Sequence, residues 1–540
     1  MQITSDLSSE KAATPTPTKE RYLISLPVIL FIALIIRLLA AFFSKGFAFH
    51  DDHFDVITIA QGWLDGFPFW LYEDMPPRHS MFYVGIHYVL FNIMNSIGLP
   101  SPETKMTVAR LLHGLYSLLI VYFGYKITDK LSTKANARLV GMMLALLWFM
   151  PFMSVRNLVE MVCIPPYMAG FYLMIKQENS KVAKRFFWAG ALFAIAFVLR
   201  YHTVLLAGGA GLVLLYRKQW REILWFGLGF AVIATIIQGT IDIIFFDYPF
   251  HSVITYFLYN SENAYNYSTG PIYRFALTIL GFLVPPVSLF LVFGYARTSK
   301  LSPLLFWAGL VFFIAHSLFP NKQERFILPL FPLIMILGVI GWQSFVKQST
   351  FWQKRQKLLA GCWILFWSLN IIAALGMALT YTKKSRVAPL VYLSQKANMD
   401  ALLLEFGNHS PKKPPLFYLG RSSAEYRDYK YDPDKKRVWD KYRAGTPLPE
   451  DFIMVYSLNG EKPVQELARE INDTKYKPDY LVMVGSDDMA ERMERIHSVY
   501  PKLKLDHTIT PSLYDQLLHF LNPRVHKDEQ VSIYEILPTK

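Results

Sequence analysis

Long apolar runs alternate with short polar loops over the first 380 or so residues. The run from Leu23 to Phe42 holds twenty residues with a single charge, Arg37. At about 1.5 Å of helical rise per residue this run spans a hydrocarbon core of about 30 Å. It is too long for a cleavable signal peptide, and no small-residue cleavage site follows it. About ten comparable runs follow before Tyr381, so the pattern predicts a mainly α bundle of about eleven transmembrane helices.

The pattern changes near residue 382. Short β-type runs, "LFYLG", "FIMVY", "YLVMVG" and "SIYEIL", then alternate with helical stretches such as "DDMAERMERIHSVY". This alternation predicts a small α/β domain. The predicted organisation is therefore a tail at 1–21, a transmembrane domain at 22–381 with its first outer loop at 43–104, and an α/β domain at 382–540.

Composition fits an integral membrane protein, with 53% hydrophobic and 18% charged residues and a mean hydropathy of +0.25. The net charge of +14 does not indicate a nucleic-acid partner, because the basic residues fall in every second loop instead of on one soluble face. The positive-inside rule places those loops and the N-terminus in the cytoplasm and the α/β domain outside. Both cysteines, Cys163 and Cys362, fall in predicted spans, so we expect no disulfide framework.

The outer loops hold most of the unusual polar residues. The stretch "FHDDHFD" at 49–55 contains His50, Asp51, Asp52, His53 and Asp55. An ionised aspartate held near a hydroxyl can act as a general base. Two other interpretations stay open at this point: a solvated rim where the chain leaves the membrane, and a divalent-metal site made by the histidines and aspartates.

Cations at the outer ends of other apolar runs extend the pattern. They occur with neighbouring polar groups in "SVRNLVEM", "LRYHT" and "PNKQERF", which supply Arg156, Glu160, Arg200, His202, Lys322, Glu324 and Arg325. One such arginine is usually a snorkelling anchor, but three clusters on one face favour an anionic lipid headgroup. Arginine and lysine suit phosphate. A base facing a phosphate clamp at a membrane predicts glycosyl transfer by single displacement from a sugar on a polyprenyl phosphate.

These motifs, taken in order, resemble glycosyltransferase family 22, the polyprenyl- or dolichyl-phosphate-mannose-dependent α-mannosyltransferases with the C-type membrane glycosyltransferase fold. "FHDDHF" resembles the family's His-Pro-Asp-Glu-x-Phe signature, with Asp52 on the aspartate and Asp51 one position away. "VRNLVEM", "LRYHTVLL" and "NKQERFILPLFP" resemble later signatures, although Asn321 and Gln323 replace the family's His and Glu. The remaining matches are "PRHSMFY", "DIIFFDYPFHSVITYFLYN" and "STGPIYR", which add Arg78, Asp247, Tyr248 and Tyr273 to the substrate-binding candidates.

The resemblance implies an inverting transfer, typically of mannose, to a hydroxyl of a lipid-linked or glycan acceptor on the outer face. It makes Asp52 the candidate base, with Asp51 as the alternative. We expect no cofactor and no metal, because the sequence shows no P-loop, no Gly-rich dinucleotide motif and no Asp-x-Asp element of the sort that nucleotide-sugar enzymes use for metal. The expected partners are membrane lipids, the polyprenyl-phosphate sugar and the glycan acceptor.

Two alternatives compete with this prediction. A transporter or glycolipid flippase would also carry ionisable residues in its spans, but would spread them through the bilayer midplane. A C-type transferase that glycosylates protein would use the α/β domain to recognise its acceptor. The motif order favours the first prediction. For localisation we favour a bacterial inner membrane, or the endoplasmic reticulum membrane if the chain is eukaryotic.

Overall fold

The computed structural model describes residues 24–66, 80–176, 181–407, 413–426, 451–458, 464–472 and 474–538, with Asp51 described in its backbone alone. The predicted tail at 1–21 therefore lies outside the described residues. The helices up to residue 393 are α1 (Leu26–Phe43), α2 (His50–Leu64), α3 (Met81–Ser96), α4 (Pro102–Leu131), α5 (Lys134–Leu146), α6 (Met150–Ser154), α7 (Val159–Val162), α8 (Ile164–Ile175), α9 (Val182–Leu199), α10 (Val204–Tyr216), α11 (Trp220–Ala234), α12 (Thr240–Phe245), α13 (His251–Glu262), α14 (Arg274–Phe282), α15 (Val287–Ala296), α16 (Pro303–Leu318), α17 (Phe331–Gln348), α18 (Thr350–Lys354), α19 (Gln356–Leu379) and α20 (Lys384–Leu393).

Shorter helical pieces connect some of these helices. The 3₁₀ turns are Tyr201–Thr203, Glu324–Leu330 and Leu416–Leu419, and the π-helical turn Thr235–Gly239 joins α11 to α12. Within the described residues, six continuous helical stretches are long and apolar enough to cross a membrane, and four shorter apolar ones lie between them. The prediction of a mainly α-helical membrane bundle is confirmed. The number of about eleven membrane spans stays a prediction.

Close helix packing in the bundle depends on small residues. Gly190 of α9 and Gly229 of α11 face the partner helix so closely that a Cβ on either would lie 1.9 Å from a backbone oxygen, that of Phe226 or Phe187. Between apolar helices in lipid, such close approach replaces the hydrophobic drive that water would supply. These two glycines therefore allow α9 and α11 to pack in direct backbone contact. Helix α9 ends directly before Arg200, one of the predicted substrate-binding residues.

Arg37, the charge in the first apolar run, is buried and fully engaged. Its Nε donates to Ser117 Oγ at 2.7 Å, and its Nη atoms donate to the carbonyl oxygens of Ala33, Leu144 and Ala145 at 3.2 Å. A buried guanidinium is tolerated when its donors are satisfied in this way. Arg37 thus ties α1 to α4 and to the end of α5.

The C-terminal α/β region is confirmed. Its strands are β1 (Ala401–Glu405), β2 (Ser423–Glu425), β3 (Ile453–Leu458), β4 (Tyr480–Val484), β5 (Leu503–Ile509) and β6 (Val531–Ile536), and its helices are α21 (Val464–Asn472), α22 (Met489–His497) and α23 (Leu513–Leu521). The sheet order is β2-β3-β1-β4-β6-β5, parallel from β2 to β4 and antiparallel at β6 and β5.

One predicted strand is wrong. The run "LFYLG" forms the 3₁₀ turn Leu416–Leu419, which ends at Gly420 with φ +69°. Pro414 and Pro415 precede the turn and remove two backbone donors from any ladder. The apolar residues of the turn are buried against the helical region, so they satisfy a strand-like hydrophobic pattern without entering the sheet. The domain boundary at 382 stays a prediction.

A backbone junction joins the first outer loop to the end of the last long apolar helix. Thr382 N donates to Lys45 O at 3.1 Å, and Gly46 and Thr382 form a β-bridge. Ser44 Oγ donates to the carbonyl oxygens of Met377 and Thr380 at 3.1 and 3.0 Å. The loop that precedes α2 is therefore fixed to the segment that leads into the α/β domain.

Gly46 is required at this junction for two reasons. Its φ of +79° is a conformation that residues with a Cβ rarely adopt, and an added Cβ would lie 1.9 Å from the backbone oxygen of Thr382. Gly98 has the same φ of +79° but nothing within 4 Å of an added Cβ. We expect Gly98→Ala to cost only the left-handed backbone penalty of about 1–2 kcal/mol. Gly46→Ala should cost about 1–3 kcal/mol more, because the junction must also move.

Thermal unfolding of the purified variants in one detergent measures this difference as a lower Tm for Gly46→Ala than for Gly98→Ala. Equal shifts for the two variants would show that the contact with Thr382 adds nothing beyond the backbone conformation.

Candidate active site

The acidic stretch forms the first turns of α2. Phe49 is extended (φ −115°, ψ 132°), and the helix begins at His50. The second aspartate, Asp52, is 2% exposed, which a solvated rim does not explain. The side chain of the alternative base, Asp51, lies outside the described residues.

Asp52 belongs to a buried network of two carboxylates and two guanidinium groups, which we call the ion-pair cluster: Asp52, Glu160, Arg200 and Arg325. Arg325 Nη1 pairs with Asp52 Oδ2, and its Nε lies 3.6 Å from Glu160 Oε1. Arg200 Nη2 lies 3.1 Å from the same Glu160 oxygen. Four stretches that are far apart in sequence thus meet at one point. The cluster carries two negative and two positive charges, so it is balanced when no substrate is bound.

Glu160, Arg200 and Arg325 lie at or next to places where the long helices are interrupted. Glu160 lies in the one-turn helix α7. Arg200 follows α9 in an extended conformation (φ −147°, ψ 106°), and Arg325 lies in the 3₁₀ turn that precedes α17. Arg200 and Arg325 therefore come from points where the backbone departs from an α-helix, and Glu160 comes from a helix of a single turn.

Aromatic rings cover the two guanidinium groups. Phe326 lies 5.1 Å from the Arg200 guanidinium and 5.4 Å from that of Arg325, and Phe49 lies 5.1 Å from Arg325 on another side. Cations over ring faces are stabilised electrostatically, and the rings also exclude water. The low local dielectric strengthens every charge interaction at the cluster.

His202, predicted next to Arg200, joins a second polar group beside the cluster. Its Nδ1 lies 3.4 Å from His316 Nε2, and its Nε2 lies 3.1 Å from Tyr256 Oη. His316 Nδ1 lies 2.8 Å from Phe312 O. Tyr256 belongs to α13, so the pair of histidines connects that outer helix to α16.

The loops that contain "STGPIYR" and "NKQERF" pair with each other, as the shared sidedness of the motifs predicts. Lys322 N donates to Ser268 O at 2.8 Å, and Arg274 Nη2 pairs with Glu324 Oε1 at 2.7 Å. The Lys322 ammonium group is buried and donates to carbonyl oxygens at the C-terminal end of α16, including those of His316 at 3.1 Å and Ser317 at 2.9 Å. In this conformation Lys322 caps a helix end.

Arg156 does not join the ion-pair cluster. Its Nη1 donates to the carbonyl oxygens of Lys45 and Gly46 at 3.2 and 2.8 Å, and its Nη2 donates to Ser44 Oγ and Thr382 Oγ1 at 2.8 and 3.0 Å. All four acceptors belong to the backbone junction. Sequence reasoning grouped Arg156 with the phosphate-binding cations, but its contacts are those of a packing residue.

The two histidines of "FHDDHFD" lie among aromatic rings. His53 is 3% exposed and stacks on Phe47 with ring centroids 5.9 Å apart, and His50 packs on Phe54 at 4.7 Å. Burial, with a further contribution from Arg156, lowers the pKa of His53 well below its usual value. His53 is therefore neutral at pH 7. Within the described residues, no group of three or more His, Cys, Asp or Glu side chains is arranged to hold a metal ion.

The α/β region supplies a wall behind α2. In the 3₁₀ turn Leu416–Leu419, the Phe417 ring lies 5.7 Å from that of Phe91, and the Tyr418 ring lies 6.2 Å from that of Phe54. No sequence signal pointed to this contact, because the turn lies more than 350 residues after α2.

The candidates from the long match after α11 lie apart from the ion-pair cluster. Asp247, Tyr248 and Tyr273 are exposed, and Tyr248 packs on His251 with ring centroids 4.7 Å apart. Arg78 lies outside the described residues. The buried acid of this segment is Asp242, which accepts hydrogen bonds from Ser252 N and Oγ and from Gln238 Nε2.

Asp242 was missed, although a lone carboxylate in an apolar run is a recognisable signal. Gln238 Oε1 accepts from Ser80 Oγ at 2.7 Å, and Ser80 directly follows the segment that contains Arg78. Gln238 lies in the π-helical turn Thr235–Gly239, a distortion that often accompanies functional sites.

Comparison with known proteins identifies a family and a fold. The model of the Alg9-like mannosyltransferase family matches residues 28–402. GPI mannosyltransferase 3 of Yarrowia lipolytica is 21% identical over 491 residues, 83% of this chain and 92% of that protein. The α-1,2-mannosyltransferase Alg9 of Drosophila melanogaster is 31% identical over 130 residues, 24% of this chain and 20% of that protein.

Among solved structures, ArnT from Cupriavidus metallidurans bound to undecaprenyl phosphate superposes with a TM-score of 0.58 at 12% identity. The match covers 94% of this chain and 97% of that one. Identity at this level shows the fold alone, and it confirms the predicted C-type membrane glycosyltransferase fold.

The contacts of Arg156 predict energetic coupling to the junction but not to the ion-pair cluster. Residues in contact couple by about 0.5–3 kcal/mol, whereas residues without shared partners are additive. In a double-mutant cycle on thermal stability, Arg156→Ala and Thr382→Val should be less destabilising together than the sum of their single effects. The matched cycle of Arg156→Ala with Arg200→Ala, a cluster member that is not on α2, should be additive. The role assigned to Arg156 is wrong if the first cycle is additive or the second is coupled.

Proposed function

The chain belongs to the Alg9-like mannosyltransferase family, and from this premise we propose that it transfers a mannosyl residue from a polyprenyl-phosphate donor to a hydroxyl of a membrane-anchored glycan. The names of its relatives, a GPI mannosyltransferase and an α-1,2-mannosyltransferase, support mannose and a glycan acceptor. The undecaprenyl phosphate bound by ArnT supports a polyprenyl-phosphate carrier.

The contact of Asp52 with Arg325 carries the mechanistic proposal. Arg325 stabilises the ionised carboxylate of Asp52, which is the form that a general base needs. The acceptor oxygen attacks the anomeric carbon from the face opposite the phosphate. As the new C–O bond forms, the bond from that carbon to the phosphate oxygen breaks, Asp52 takes the hydroxyl proton, and the polyprenyl phosphate leaves with the electron pair. A single displacement of this kind inverts the anomeric configuration.

Arg200 and Arg325 are placed to stabilise the departing phosphate, since both guanidinium groups lie at the cluster. Because the cluster is balanced without substrate, a donor phosphate adds a net negative charge to it. Lys322, in the same loop as Arg325, is the cation that we propose offsets this charge, since Arg274 is already paired with Glu324. Glu160 holds Arg200 at 3.1 Å and keeps its fork oriented.

The distribution of charge does not favour the transporter alternative. A substrate pathway needs ionisable side chains along the membrane depth. Here Asp52, Glu160, Arg200 and Arg325 meet at one point near helix ends, while Arg37, inside the first apolar helix, is engaged by backbone carbonyls.

We further propose that the cluster faces the extracytoplasmic side, because the basic loops alternate with the motif-bearing ones. The α/β region, which packs against α2, then lies on the same side. A multi-pass membrane location follows from the family and the apolar helices. The bacterial inner membrane, with the endoplasmic reticulum as the eukaryotic counterpart, stays a prediction.

The principal test is transfer by the purified enzyme from labelled polyprenyl-phosphate-mannose to membrane lipid extracts, followed by identification of the product. A general base contributes about a hundred- to ten-thousand-fold. Asp52→Asn should therefore lower turnover by that factor and leave donor binding nearly unchanged, because the amide is close in shape but cannot take the proton. Arg200→Ala or Arg325→Ala should weaken donor binding as well as turnover, and lysine should rescue each partly.

Asp51→Asn is the matched control one residue away. If Asp51→Asn abolishes turnover and Asp52→Asn does not, the assignment of the base is off by one residue. If both variants stay active, neither aspartate is the base and the proposed mechanism fails. If the wild-type enzyme transfers no sugar, the proposed function itself fails.

We also propose that transfer needs no divalent metal, because one carboxylate base and a set of Arg and Lys side chains that bind the phosphate suffice for a single displacement. Activity should be unchanged after treatment with EDTA and gel filtration. Loss of activity that Mn²⁺ or Mg²⁺ restores would favour the alternative in which His50, Asp51, Asp52 and His53 bind a metal.

A further inference from the structure

Helix α23 presents its apolar face outward. The exposed fractions are 84% for Leu513, 53% for Leu517, 82% for Phe520 and 67% for Leu521, and Val525 just after the helix is 69% exposed. At 100° per residue the four helical side chains fall within one arc of about 100°. They form one contiguous apolar strip, which a water-soluble domain does not normally leave uncovered.

Two polar side chains of α23 lie on the side opposite the apolar strip. Asp515 is half-buried and receives a hydrogen bond at the helix start from Ser512 Oγ at 2.6 Å. His519 is also half-buried, with its Nδ1 2.7 Å from His526 O. The orientation is the reverse of α21 in the same domain, where Val464, Leu467 and Ile471 are buried.

The chain after α23 lies beside the end of the last long apolar helix, α19. Ser385 Oγ donates to Glu529 Oε2 at 2.5 Å, and Ser385 follows Thr382 of the backbone junction by three residues. Glu529 follows the end of α23 by eight residues. Helix α20, which begins at this point, also contacts β5 and β6. The segment that contains α23 is thus linked to the chain that directly follows α19, the last long apolar helix.

Cationic groups flank the apolar strip. Arg524 and Lys527 are both exposed in the segment that follows α23. Long basic side chains beside an apolar helix face are typical of helices in the membrane interface, because the stems stay in the apolar zone and the charges reach lipid phosphates.

We propose that α23 lies in the surface of the same bilayer that the helical domain spans, with Leu513, Leu517, Phe520 and Leu521 immersed among the lipid chains. The occupant of the strip is membrane lipid. This contact gives the α/β region a second attachment to the membrane besides α19, and it fixes the height of the region above the ion-pair cluster. The inference is independent of the sugar that the enzyme transfers.

The test uses the full chain in lipid nanodiscs. Cys163 is buried, so Cys362→Ser removes the remaining accessible thiol. A nitroxide label is then attached in Phe520→Cys, or in Glu494→Cys as the matched control, since Glu494 is an exposed position on the equally long helix α22. Both substitutions are at exposed side chains, so the core of the domain is preserved. Collision rates with oxygen, which partitions into lipid, and with a water-soluble nickel chelate report the depth of each label.

The label at 520 should collide at least severalfold less with the nickel chelate than the label at 494, and more with oxygen. Similar nickel collision rates at both positions would show that the strip faces water, which overturns the proposal. Spin–spin broadening between labels at 520 in samples with two chains per disc, lost on dilution with unlabelled protein, would assign the strip to a second copy of the chain and would also overturn it.

Discussion

The burial of two carboxylates and two guanidinium groups at one point constrains the rest of this structure. An unpaired charge in that position would cost several kcal/mol, whereas a paired and oriented set is tolerated. Asp52, Glu160, Arg200 and Arg325 come from four places in the chain, so the helices that present them must end at the same height and face the same centre. The breaks after α9 and before α17 provide those ends. The requirement to pair these charges therefore fixes where the membrane helices stop being regular.

Much of this arrangement could be predicted from the sequence, for a physical reason. A charge beside a long apolar run is expensive, so it marks either a packing contact or a functional site. That rule selected Asp52, Glu160, Arg200 and Arg325, and their order matched a known family. The rule does not distinguish the two uses. Arg156 obeys it as well, yet its donors satisfy the loop before α2 and Thr382. Only the positions of its hydrogen-bond acceptors distinguish an arginine that packs the fold from one that belongs to the site.

The errors in the α/β region have a related origin. "LFYLG" has the composition of a strand, but its apolar side chains are buried against helices from another part of the chain. The spacing of apolar residues in α23 is enough to predict a helix. It does not predict that the apolar face of that helix points away from the domain. A hydrophobic pattern indicates that one face of an element is covered. It does not identify the protein surface or lipid that covers it. In a membrane protein the cover can be protein or lipid, so the pattern alone does not distinguish a core helix from an interfacial one.

These contacts together give the α/β region a mechanical relation to the chemistry. Tyr418 packs on Phe54, two residues after the proposed base, and the junction at Thr382 holds the loop that leads into α2. A shift of the α/β region would therefore act on the start of α2 through two contacts, the junction before the helix and the packing of Tyr418 on Phe54 within it. The pairing of Asp52 with Arg325 tolerates little such movement, because charge-assisted contacts depend on distance and direction. The region that appears remote in sequence thus acts as part of the frame that holds the base, whatever acceptor the outer face receives.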